Sequence, residues 1–98
     1  MRAFVTMRST PAEAEGLLGQ YRAFQRKYEQ PVDVGAALPD IKASAGDMAG
    51  ALEIVFAEGP AFAGVLEAPS LEAAVSFART FVERLKALSE TGAENVAE

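Results

Sequence analysis

The chain has no cysteine, no histidine and no tryptophan. Without cysteine there is no disulfide framework, no thiolate nucleophile and no zinc finger. Without histidine there is no Ser-His-Asp triad and no imidazole to titrate near neutral pH. Any metal would have to rest on carboxylates and carbonyls alone, and no metal site or cofactor is expected. Long apolar runs are missing too: nothing approaches the about 18 residues of a membrane span. The apolar stretch after Met1-Arg2 is only Ala3-Phe4-Val5, too short for a secretory leader. These absences lead to the expectation of a cytoplasmic protein, which the lack of cysteine suits.

Positive charge is also scarce. Nine basic residues face fourteen acidic ones, a net charge of −5. From Tyr28 through Ala78 the sole basic residue is Lys42, against Glu29, Asp33, Asp40, Asp47, Glu53, Glu58, Glu67 and Glu72. Such a surface repels a phosphate backbone and an anionic bilayer, so neither nucleic acid nor membrane is expected as a partner. It reads most simply as an acidic, solubilising face. What is present is a chain of 98 residues, half of them apolar. That is enough for one globular domain spanning residues 1–98.

The hydrophobic pattern places elements along it. Arg2 to Arg8 reads as a strand, with Ala3, Val5 and Met7 on one face and Phe4 and Thr6 on the other. Thr10, Pro11 and Glu13 write a helix start. Leu17, Tyr21, Phe24 and Tyr28 then recur on one helical stripe. Pro31 ends the helix. Residues 32–50 carry Gly35, Pro39, Gly46 and Gly50 among small residues and read as a long linker or lid, with a short helix or an extra strand around Val32-Asp33-Val34 as alternatives. Ala51 to Ala57 alternates, Glu58-Gly59-Pro60 turns, and Ala61 to Glu67 returns, which makes a hairpin. Ser70 caps a second helix with apolar positions from Leu71 to Leu88, and Gly92 is a plausible stop. A short last strand is expected around Val96. The order β-α-β-β-α-β is the split βαβ, ferredoxin-like pattern of the α+β class. It implies a four-stranded antiparallel sheet with both helices on one face.

The stretch Gly59-Pro60-Ala61-Phe62-Ala63-Gly64-Val65-Leu66-Glu67-Ala68-Pro69-Ser70-Leu71-Glu72-Ala73-Ala74 resembles the third strand and second helix start of small dimeric α+β barrel proteins, nearest the GYD-domain type. Gly59-Pro60-Ala61 stands where that type has Gly-Tyr-Asp. The likeness in motif covers about residues 52–78. The resemblance implies a homodimer built on the sheet. Its superfamily includes cofactor-independent monooxygenases, isomerases and polyketide cyclases, besides members with no known activity.

Candidate chemistry is thin. Tyr21 and Tyr28 are hydroxyl donors, yet both fall on the apolar stripe, where a tyrosine is usually core. Glu53 shares a strand face with Ala51 and Val55. If enclosed, it would gain a raised pKa and could act as a base; a solvated edge charge is the simpler reading. Glu67 at a helix start reads as a cap or surface group, and Arg2 and Arg8 as partners for nearby acids. No phosphate loop or dinucleotide fingerprint is present. The ligand-facing set expected inside a barrel is Phe4, Glu53, Val55 and Val65. All three readable strands are apolar on both faces, which two helices on one side would leave half covered. The expectation is therefore a homodimeric module binding a small hydrophobic ligand or a protein partner. The alternative is a cofactor-independent monooxygenase, isomerase or cyclase-like enzyme.

Overall fold

The computed structural model describes residues 1–97, with side chains through Leu88. The elements are β1 (Arg2–Met7), α1 (Pro11–Tyr28), β2 (Gln30–Val32), β3 (Lys42–Met48), β4 (Ala51–Glu58), β5 (Ala61–Ala68) and α2 (Leu71–Ala97). The strands form one five-stranded sheet in the order β1-β5-β4-β3-β2. Every neighbouring pair is antiparallel. Helix α1 carries the chain from one edge of the sheet to the other. The strands β2 to β5 then return as a meander until β5 lies beside β1.

The α+β class with an antiparallel sheet and two helices therefore holds, but the four-stranded, one-sided arrangement does not. The helices lie on opposite faces. Ile54, Phe56, Ala63 and Val65 pack with Ala74, Ala78, Val82 and Leu85 of α2. Val55, Ala57 and Phe62 pack with Ala14 and Leu18 of α1, joined by Phe4, Leu17 and Tyr21. Alternation along a strand sends successive side chains to opposite faces, so β4 feeds both cores. This explains why the strands are apolar on both sides: each side has a helix of its own. Each large side chain so buried contributes roughly 1.5–3 kcal/mol.

The segment 32–50 does not lie wholly outside the sheet. Lys42–Met48 is a full strand, paired with β4 from Lys42↔Ala57 to Met48↔Ala51. Gly50 does not break it but helps turn it: Ala49 (φ 54) and Gly50 (φ 92) form a two-residue hairpin loop, the left-handed pair that matches strand twist. Asp47 accepts from the Gly50 N–H at 2.7 Å. Residues 33–41 do lie outside the sheet but are pinned. Val34 and Leu38 are buried in the α2-side core, and Arg79 donates to the Ala37 carbonyl at 2.6 Å. The strand expected near Val96 is also corrected, because α2 continues through Gly92 to Ala97. One glycine costs a helix interior only about 1 kcal/mol, and no proline follows to stop it.

The helix starts are as the residues dictate. The Glu13 N–H donates to Thr10 Oγ1 at 3.2 Å, and the Ala73 N–H donates to Ser70 Oγ at 3.1 Å. Arg2 pairs with Glu67 at 2.7 Å and Arg8 with Glu13 at 3.8 Å. Gly64 is required where it stands. A Cβ there would lie 2.8 Å from both the Ile54 carbonyl oxygen and the Phe4 ring.

Candidate functional site

The C-terminal half of α1 breaks the rule that aromatic residues go in and polar residues stay out. Phe24 and Tyr28 are exposed (43% and 58%), whereas Gln25 and Glu29 are buried, at 2% and 7% exposure. Tyr21, Gln25 and Glu29 follow one another at i, i+4 and i+8, so they share a face. That face lies over the centres of β3 and β4. Buried polar groups at core positions are the informative observation in a fold whose other core positions are apolar.

Each member meets a different partner. The Tyr21 hydroxyl donates to the Glu53 carboxylate, at 3.2 Å to Oε1 and 3.3 Å to Oε2. Ser44 Oγ donates to Gln25 Oε1 at 2.6 Å. Glu29 caps α1 and folds over β3, where Gly46 leaves room for its carboxylate; a Cβ at Gly46 would collide with it. Glu53 lies directly across from Gly46. On its other side the ladder shifts: Leu52 pairs with Ala68 and Ile54 with Val65, so Glu53 faces both Leu66 and Glu67. This is a β-bulge, with Glu67 in the left-handed region at φ 57. Bulges of this kind bend the strand and re-aim side chains.

The electrostatics follow from the crowding. Burial, then the neighbouring Glu53 carboxylate, then the charge of Asp47 push Glu29 up to about 7. Both Glu29 oxygens and the Gln25 Nε2 are buried with no hydrogen-bond partner among the described residues. Burial, then the charge of Glu53 and the bond to it, raise Tyr21 to about 12. Tyr21 is therefore a neutral donor at any ordinary pH.

A cleft of about 260 Å³ opens beside this column, lined by Arg22, Gln25, Arg26, Ser44 and the stretch Pro31–Gly35. Arg22 donates to the Ala43 carbonyl at 3.4 Å. Neither Arg22 nor Arg26 has an ion pair among the described residues. Asp33 stands in the same cleft, with its Oδ1 accepting from the Gly35 N–H at 2.8 Å.

The structure thus joins Tyr21 and Glu53 and adds Gln25, Glu29 and Ser44, which the sequence did not single out. Tyr28 is exposed and packs at a tilt against Phe24, with ring centroids 5.0 Å apart. Phe4 packs on Phe62 in the α1-side core. Val55 and Val65 are fully buried in opposite cores and share no cavity. Among the described residues, no group of three or more acidic side chains is placed to hold a metal, and no helix is long and apolar enough to cross a membrane. Fold and site define a small α+β protein with a cleft beside one helix. No family model, curated protein or solved structure matches the chain.

Proposed function

We propose that the protein is a small binding module, and that its site is the cleft beside the C-terminal half of α1. The carrying observation is the inversion of that helix, with Gln25 and Glu29 turned inward and a buried Gln25 Nε2 left without a partner. Such a donor costs roughly 1–3 kcal/mol unless something accepts from it. Arg22 and Arg26 on one side of the cleft and Asp33 on the other suit a small zwitterion, with its carboxylate toward the arginines and its ammonium toward the aspartate. A volume of about 260 Å³ favours a molecule of amino-acid size, below the 300–1,000 Å³ range of drug-sized pockets. The hydrophobic ligand of a barrel interior is replaced in this reading by a polar one, since α1 fills the face such an interior would need.

Titration of the ¹⁵N-labelled protein with the common amino acids, and with matched amines and carboxylic acids, tests the reading. Shifts are expected at Arg22, Gln25, Arg26, Asp33 and Ser44, with zwitterions binding more tightly than either half. Arg26→Ala should weaken carboxylate-bearing ligands at least several-fold. Absence of shifts at these residues at millimolar ligand rejects the proposal. A second reading is acid–base catalysis by Glu29, which is held near 7, the range where a carboxyl both gives and takes protons. It also lines a cleft with Tyr28 and Asp47. Loss of turnover with retained binding in Glu29→Gln would favour it.

A further inference from the structure

We infer that two copies of the chain join edge to edge through β1, antiparallel about a two-fold axis with Val5 facing Val5 of the partner subunit. The two edges of the sheet are treated differently. The β2 edge is three residues long and has Pro31 at its centre, the usual protection against further pairing. The β1 edge is six residues without proline, glycine, lysine or bulge, and among the described residues nothing pairs with its outer side.

The backbone of that outer side can be assigned. The Arg8 N–H donates to the Pro60 carbonyl at 2.8 Å, extending the β1–β5 ladder. In an antiparallel pair alternate residues point their N–H and C=O groups to opposite sides. The even residues of β1 therefore serve β5, while Ala3, Val5 and Met7 turn theirs outward. A two-fold axis perpendicular to the sheet keeps the faces in register, so residues pair only with residues of the same parity. Centring on Val5 uses the whole strand, with Ala3 facing the partner's Met7 and Phe4 facing the partner's Thr6.

Side chains favour the same register. Ala3, Val5 and Met7 lie on the α2 face of the sheet, and Met7 is 63% exposed. Beside Ala3 is a largely apolar hollow of about 380 Å³ lined by Phe77, Thr80, Phe81 and Arg84. The register delivers the partner's Met7 to this hollow, and the symmetry does so twice. A flexible thioether against aromatic rings is a favourable filling. At the strand ends, Arg2 would face the partner's Arg8, and each is already neutralised by its own glutamate, Glu67 and Glu13. The contact is isologous and closes on itself.

Light scattering of the full chain at about 100 µM should give the mass of two chains. Val5→Pro removes an N–H that the subunit's own sheet does not use, so it should give a folded chain of one-chain mass. Met7→Glu, at an exposed position, should weaken association at least ten-fold. Because the chain lacks cysteine, Val5→Cys carries a unique nitroxide label, whose spectrum should broaden by contact with the label of the second copy. A wild-type monomer at this concentration overturns the inference, as does a dimer unaffected by Met7→Glu. A dimer without label broadening overturns the register.

Discussion

Glu29 sets an unusual pH dependence. Its ordinary value is 4.5 and the folded value is about 7, so the folded state holds the proton more tightly. Below pH 4.5 both states are protonated and the buried position costs nothing in ionisation. Between 4.5 and 7 the unfolded chain releases the proton while the folded chain keeps it, so stability falls as pH rises. Above 7 the loss is complete, on the order of 1–3 kcal/mol. With no histidine, no imidazole titrates in this window. Urea midpoints measured from pH 4.5 to 8 should fall in the wild type and stay nearly flat in Glu29→Gln, which should be the more stable of the two at pH 8. A midpoint that climbs through the window contradicts the raised value of Glu29. Gly64→Ala should cost roughly 1–3 kcal/mol, because the added methyl meets backbone on one side and the Phe4 ring on the other. Thermal denaturation reads that loss, and Gly16→Ala, which has open space around it, serves as the control. At this scale the sequence was half legible. Strand alternation singled out Glu53, and the helical stripe included Tyr21. Gln25 and Glu29 were missed because apolar periodicity followed Phe24 and Tyr28. A stripe through Ala14, Leu18, Tyr21 and Gln25 fits the helix equally well, and only the packing chooses between them.

Elements with strong patterns were readable: both helix caps, the β4–β5 hairpin and the β1 strand. β3 was not, for a physical reason. Its sequence, Lys-Ala-Ser-Ala-Gly-Asp-Met, is poor in the β-branched and aromatic residues that mark strands. Small residues stand there because α1 comes close, with Gln25 over Ser44 and Glu29 over Gly46. The strand is held by its neighbours on both sides rather than by its own propensity. Hydrogen exchange should accordingly be slow at Ala45 and Asp47, as in β4, and not at loop rates. The adjoining loop is fastened by Leu38, which is 2% exposed. Leu38→Ala should destabilise the whole protein by about 2–5 kcal/mol, measured by urea unfolding. A loss confined to local opening of residues 33–41 would instead make this segment the lid that the sequence suggested.

At the scale of the molecule, one topological fact has a temporal consequence. The strands β3 to β5 follow one another through two-residue connections, β2 precedes them by residues 33–41, and their contacts are local. The β1–β5 ladder instead joins Arg2 to Leu66, closing a loop that contains α1 and the whole meander. Loop-closure entropy makes such a pairing late unless something else draws it in. The expected nucleus is the β3–β4–β5 meander with α2 packed on it, and β1 docks last. Val65→Ala should then chiefly slow refolding. Phe4→Leu should chiefly speed unfolding, and chevron kinetics separates the two. Until β1 docks, the free margin of β5 is the most association-prone surface the chain displays. The refolding yield should therefore fall with protein concentration more steeply when β1 is weakened than when the α1-side core is weakened by an equal free energy.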